Sequence, residues 1–338
     1  MEQVNWRIFF YLNMPLTMGA MVVSHLILRP IPSEHRKKPD IPGSVLLTTS
    51  LVTLLMALTQ GQREGWNSRH IITLLIIALA TFVAFLAVEM RSRAPFVDLS
   101  LFKSTSYTLS GVVAVTFGFG LFGSNFLIPL FLQNVLKYSV FLTALVMWPA
   151  GLGGAAMVLL AGWLLDRLDV RIPLLIGLSL FAVALYNFSL LAWETSFLTI
   201  TLMAIMRQGA ITFLFPSVMK ASLAELPFDR IAMGSGMVNL LRQIGGVVGI
   251  AAFSTLLERR EILHKSVLAQ AQAMAPIGPQ RLLASMQDIY ARLGNVDPLA
   301  DLKALLTLDG LTRRLALINA FDDCFLIGAV VFTVLTVP

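Results

Sequence analysis

The strongest constraint on this chain is a series of long stretches that contain no Asp, Glu, Lys or Arg. They run over 8–28, 41–62, 70–88, 104–136, 138–165 and 172–193. A helix needs about 20 mostly apolar residues to cross the hydrocarbon of a bilayer, and each stretch is of that order. Three further segments carry charge inside: 195–219 with Arg207, 231–257 with Arg242, and 315–338 with Asp322 and Asp323. In hydrocarbon the backbone must bond to itself, so spanning segments close as helices or as barrels. These runs are continuous, without the ten-residue alternation of a barrel strand. The expectation is an all-α polytopic membrane protein with nine transmembrane helices. Composition agrees: 57% of the residues are hydrophobic and 13% charged, against roughly 45–50% and 25% in soluble domains. That balance disfavours a soluble enzyme, a nucleic-acid binder and a disordered chain.

Basic residues in short loops set orientation. Arg29, Arg36, Lys37, Lys38, Arg91, Arg93, Lys103, Arg167, Arg171, Lys220 and Arg230 fall in alternate loops, whereas the opposite set holds only Arg7, Arg63, Arg69 and Lys137. The richer side is expected to be cytoplasmic, with the N-terminus outside and the C-terminus inside. The segment 258–314 places eight more Lys and Arg on the outer side, but long loops count little in this rule. Leu282, Met286, Ile289 and Leu293 form one apolar stripe there, and Asp297-Pro298 reads as a helix start. Either a folded external cap or a docking surface for a periplasmic partner fits. The first apolar run is too long for a secretory h-region and lacks a cleavage site. A polytopic chain opening in this way reads as the middle of something longer.

Metal and catalytic chemistry find little support. Cys324 is the single cysteine, and His25, His35, His70 and His264 are scattered without paired-ligand spacing. No local motif suggests a catalytic site or a cofactor, so the expectation is no enzyme and no cofactor. The residues with functional potential lie inside spans. A central arginine costs about 2.5–3.5 kcal/mol on insertion scales, so Arg207 and Arg242 are expected either to line a cavity or to bond backbone carbonyls and amides such as Gln208 and Gln243. Asp322 and Asp323 read as a helix start at the membrane surface, or one of them pairs with an arginine. Gly245, Gly246 and Gly249 suit close helix approach, and Pro149, beside Gly151, Gly153 and Gly154, favours a bend; packing or a gating hinge would each use them. Phe117, Phe119, Phe122 and Phe126, with Asn125, face lipid by default, or else form a drug-contact face.

Four segments resemble the fourteen-span drug:proton antiporters of the major facilitator superfamily, the EmrB/QacA type. Trp6-Arg7-Ile8-Phe9-Phe10-Tyr11-Leu12-Asn13-Met14-Pro15 is similar to the start of that family's sixth helix. GWLLDRLDVR (162–171) resembles the second copy of its cytoplasmic loop motif. IPLFLQNVLKYSVFLTALVMWPAGLG (128–153) resembles its ninth-to-tenth helix connection, and GSGMVNLLRQIGGVVGIA (234–251) its penultimate helix. The resemblance implies that 1–28 is the last helix of an N-terminal bundle. It makes 29–103 two linker helices with their loops, and 104–338 a C-terminal six-helix bundle that includes the extracytoplasmic loop 258–314. It further implies a multi-pass inner-membrane protein that expels amphipathic or cationic drug-like substrates in exchange for protons. Arg207, Arg242, Gln243 and Asn125 stay the candidates for substrate or coupling contacts on the residues themselves, and the resemblance makes Gly162, Asp166, Arg167 and Arg171 a charge-linked gating latch. Five earlier helices, with the proton site, are expected upstream, and a missing N-terminal half or a periplasmic adaptor are the implied partners. The rival expectations are a non-transporting remnant and a membrane-embedded enzyme; the enzyme lacks the clustered acids or histidines it needs.

Overall fold

The computed structural model describes residues 7–27, 41–91, 99–224, 226–274, 277–292 and 299–336. They fall in two compact units, Met1–Asp40 and Ile41–Pro338. The first holds α1 (Arg7–Ile27), with Pro15 inside it. The hydroxyl of Thr17 donates to the Asn13 and Met14 carbonyls of the same helix.

The second unit contains α2 (Ile41–Glu64), α3 (Arg69–Glu89), α4 (Thr105–Asn134), α5 (Val140–Arg167), α6 (Arg171–Phe188), α7 (Phe197–Leu223), α8 (Ile231–Met274), α9 (Ile277–Arg292) and α10 (Leu299–Thr336). Among the described residues, eight helices are long and apolar enough to cross a membrane: α2 to α8, and α10. With α1 set apart, these correspond one to one with the remaining expected spans. Serines set several starts. Ser68, Ser104, Ser139 and Ser196 each accept a hydrogen bond from the backbone N–H three residues on, at 3.2–3.3 Å. Each side chain thereby satisfies a donor that the first helical turn leaves free. Gly65, at φ +85°, makes the tight link between α2 and α3, a backbone region that favours glycine.

The bundle core is aromatic. Phe181 of α6 meets Phe332 of α10 with ring centroids 4.5 Å apart, Phe188 stacks on Phe325 at 5.4 Å, and Phe131 of α4 meets Phe321 edge-on at 5.3 Å. Outward faces carry bare apolar side chains such as Leu159, Leu198 and Val334, which suits contact with lipid tails. α4 and α8 pack backbone to backbone. A Cβ built on Gly245 would lie 2.7 Å from the Val115 carbonyl carbon, and one on Gly249 2.8 Å from the Phe119 Cα. Gly118 of α4 lies as closely against the Arg242 carbonyl. α2 and α3 join through the Ser50 hydroxyl, which donates to the Ala78 carbonyl at 3.0 Å.

Segment 258–314 is continuous with the helices on either side of it. α8 runs unbroken for 44 residues and α10 for 38. At 1.5 Å per residue these are about 66 and 57 Å long, roughly twice the hydrocarbon thickness. Both spans therefore continue as an antiparallel helical pair, with α9 packed on α10. The pair is joined by charge: Arg260 and His264 meet Asp323 at 3.3 and 2.8 Å, Lys265 meets Asp309 at 3.0 Å, and Arg313 meets Glu261 at 3.1 Å. Asp322 and Asp323 accordingly sit well inside α10 rather than at a helix start. Asp323 takes the partners, while the Asp322 Oδ1 is buried without a hydrogen bond, because neighbouring positions on a helix point about 100° apart. The stripe on α9 is also shifted. Leu282 and Ile289 are exposed, whereas Leu283, Met286 and Tyr290 are half-buried, with the Tyr290 hydroxyl 2.8 Å from the Thr307 hydroxyl. Leu293, Asp297 and Pro298 lie outside the described residues.

Candidate functional site

Two arginines occupy the bundle in different ways. Arg207 of α7 is 1% exposed and reaches α4. Its Nε donates to the Ser124 Oγ at 2.9 Å, and its Nη2 donates to the Asn125 Oδ1 at 2.6 Å and to the Leu121 carbonyl at 3.4 Å. The Ser124 hydroxyl is oriented for this, since its own proton goes to the Gly120 carbonyl at 2.6 Å. Among the described residues no carboxylate pairs with Arg207. A buried cation is thus held by neutral oxygens alone, which supply short charge-assisted hydrogen bonds. The expected carbonyl-and-amide environment is present, but the amide is Asn125 and no bond is made to Gln208 or Gln243.

Arg242 of α8 is half-buried. Its Nη2 donates to the Asn239 Oδ1 one turn back at 2.6 Å, its Nε is buried with no hydrogen bond, and its guanidinium lies 5.3 Å from the Phe215 ring centroid and 6.0 Å from that of Phe122. Aromatic faces attract a cation at such distances. Arg242 lines a cavity of about 540 Å³ together with Phe117 and Leu121 of α4, Gly162 of α5, and Thr212 and Phe215 of α7. Among the described residues, none that lines this cavity is acidic. Leu121 links the two arginines, since its side chain lines the cavity while its carbonyl accepts from Arg207. The glycine seam sets where Arg242 stands, because Gly118, Gly245 and Gly249 allow α8 to lie directly on α4.

Several expected groupings are divided by the fold. Gln243, next to Arg242, turns to another cleft, of about 510 Å³ between α2 and α8, shared with Ser44, Thr48 and Asn239. The α4 phenylalanines do not face lipid as a set. Phe117 is buried at the cavity, Phe119 contacts Phe253 of α8 at 5.0 Å between ring centroids, Phe122 lies under Arg242, and Phe126 packs on the core. Pro149 lies within α5, which continues unbroken through it. Nearby, a Cβ on Gly153 would approach Ile205 at 2.8 Å, and one on Gly154 would approach the Gln208 Cγ at 2.6 Å, so these glycines let α5 settle on α7. Gly246 lies against the Phe122 ring, where a Cβ would stand 2.7 Å from its Cγ.

The loop motif sits at the end of α5. Asp166, Arg167 and Arg171 are all exposed. Arg167 stacks over the Trp163 ring at 4.7 Å, and the Arg171 backbone N–H donates to the Asp169 Oδ1 at 2.9 Å. Among the described residues Asp166 forms no ion pair. The link across helices here is Lys220 of α7, whose ammonium donates to the Leu165 carbonyl and so places a positive charge at the negative end of α5. In the sequence Lys220 counts only among the basic loop residues, and Ser124 is not singled out. Ser124-Asn125, two adjacent polar residues in an apolar helix, is the signal that identifies Ser124; Lys220 has no local signal.

Comparison with known proteins agrees with this architecture. A family model described as Major Facilitator Superfamily matches residues 1–250. The chain is similar to the multidrug export protein EmrB of Haemophilus influenzae, at 29% identity over 80% of this chain and 53% of that protein. It is similar to a multidrug resistance protein B homolog of Mycobacterium tuberculosis, at 31% over 80% and 51%. A third relative is the multidrug resistance protein Stp of Mycobacterium tuberculosis, at 28% over 76% and 48%. The chain thus spans about half the length of the curated relatives it matches. The helices long enough to cross a bilayer, the cavity between them and the match over 250 residues together show a multi-pass integral membrane protein, not an enzyme, that belongs to the major facilitator superfamily.

Proposed function

We propose that this chain forms the C-terminal bundle and linker helices of a proton-coupled multidrug efflux transporter in a cytoplasmic membrane. The observation that carries the reading is the cavity in which Arg242 stands among Phe117, Phe122 and Phe215. Aromatic walls accept apolar drug-like molecules of varied shape, and one cation among them fixes orientation. The names of the multidrug relatives support the same substrate class. Alternating access rocks two bundles about a site between them, so transport is expected of this bundle joined to a second one. The proton-binding carboxylate is assigned to that second bundle, since no described residue lining this cavity is acidic. Orientation with the 162–171 turn in the cytoplasm follows from the basic residues in the alternate loops.

The test is drug accumulation in an efflux-deficient bacterial host producing the chain together with a second bundle. Accumulation of an amphipathic dye is expected to fall, and a proton uncoupler is expected to restore it. Arg242→Gln is expected to reduce efflux about tenfold at equal membrane abundance, because the charge is lost while much of the side-chain volume remains. Efflux unaffected by the uncoupler removes proton coupling from the reading, and wild-type efflux by the variant removes Arg242 from the pathway. Asp166→Asn in the same transporter is expected to lower efflux severalfold without lowering abundance, as a gating latch requires. Unchanged efflux at equal abundance leaves Asp166 with no role beyond a solvated turn.

A further inference from the structure

Away from the Arg242 cavity, at the end of the bundle opposite the 162–171 turn, α4, α8 and α10 enclose a third cavity of about 560 Å³. Its charged lining is mostly cationic. Lys137, Arg313 and Arg314 border it, against the single acid Glu261, which Arg313 already pairs at 3.1 Å. Lys137 and Arg314 have no carboxylate partner among the described residues. Arg314 rests on the Trp193 ring at 5.8 Å, and its Nε is buried without a hydrogen bond. Lys137 holds φ at +60°, uncommon for a residue with a Cβ and a mark of local backbone constraint. Of the remaining lining, Leu130, Leu257, Leu317 and Phe321 are apolar, and Asn134 adds a neutral amide.

The level of this cavity is set by the sequence. The apolar spans of α4 and α8 end at 136 and 257, so the basic residues stand where hydrocarbon gives way to headgroups, and the apolar residues extend the site towards the tails. Two unpaired cations above an apolar floor match one ligand chemistry, a phosphate carried on an acyl chain. We propose that this cavity is a binding site for an anionic phospholipid, with Lys137 and Arg314 on the phosphate and the leucines and Phe321 against the chain. The site is formed by one bundle alone and goes beyond the transport reading.

Native mass spectrometry of the full chain in non-ionic detergent tests the proposal, with phosphatidylglycerol and phosphatidylcholine of the same acyl chains as probes. The anionic lipid is expected to be retained at concentrations at least about tenfold lower. Lys137→Gln and Arg314→Gln are each expected to weaken that retention about fivefold, the effect of one basic side chain near a charged lipid surface, leaving phosphatidylcholine unchanged. Glu261→Gln frees Arg313 and is expected to strengthen retention severalfold, an increase that misfolding does not produce. Equal retention of the two lipids, or a double variant that binds like the parent, overturns the proposal. Displacement of phosphatidylglycerol by an equal concentration of inorganic phosphate also overturns it, by showing that a free anion suffices.

Discussion

Gly245→Ala and Gly249→Ala are each expected to destabilise the protein by about 1–3 kcal/mol, the usual cost of overpacking a close contact, and the double variant is expected to yield little folded material. The new methyl groups fall on the Val115 and Phe119 backbone of α4. Backbone cannot rotate aside as a flexible side chain can, so α8 has to move off α4. Helix association in a bilayer depends on such close approach, because lipid tails are as apolar as the side chains. Gly151→Ala is the control. A Cβ there meets nothing within 4 Å, and alanine is the better helix former. Thermal unfolding and gel filtration of the detergent-solubilised protein provide the measurement. Equal melting temperatures for the three single variants would show that the seam has slack, and that the position of Arg242 does not depend on it.

Asn125→Leu is expected to cost more than Arg207→Met. Removing the amide takes the 2.6 Å acceptor from a guanidinium that is 1% exposed, leaving the cation to the Ser124 hydroxyl and the Leu121 carbonyl. A hydrogen bond to a charged group contributes about 1.5–3 kcal/mol, and removing one partner of a buried cation leaves its charge undercompensated. Arg207→Met removes the charge itself and keeps much of the volume, a change that is often near neutral for stability. Combining the two is expected to recover most of the stability lost in Asn125→Leu, with a coupling energy of about 1–3 kcal/mol in a double-mutant cycle. Additive losses would sink this account and make Asn125 and Arg207 independent. If Arg207→Met is stable but efflux by the assembled transporter is impaired, the arginine serves transport rather than folding.

The 3.3 Å Arg260–Asp323 and 2.8 Å His264–Asp323 contacts bear on the basic residues of 258–314. Arg260, Lys265 and Arg313 are engaged in pairs between α8 and α10, so their abundance reflects a helical pair fastened to itself. Lys137 and Arg314 differ in having no acidic partner among the described residues. The distinction between fastening charges and binding charges rests on partners about 50 residues apart in the chain.

Sequence alone determined the spans, because the requirement for about 20 apolar residues per crossing is local and can be counted. It marked α2 to α7 within a few residues and placed Arg207 and Arg242 inside apolar helices, where a charge needs a reason. It also marked Gly245 and Gly249 as a close-packing pair, since small residues four apart share a helix face. The ends of α8 and α10 were not legible in this way: beyond the hydrocarbon a helix continues or stops according to its neighbours, and here α8 and α10 support one another. Only the tertiary structure decided that Asn125 and not Gln208 receives Arg207, that Arg242 and Gln243 face different cavities, and that Asp323 has partners while the Asp322 Oδ1 has none among the described residues. Arg207 and Asn125 are 82 residues apart, and no local pattern encodes which faces of two helices meet. That is settled by the fit of whole surfaces, above all where glycines let α4 and α8 touch.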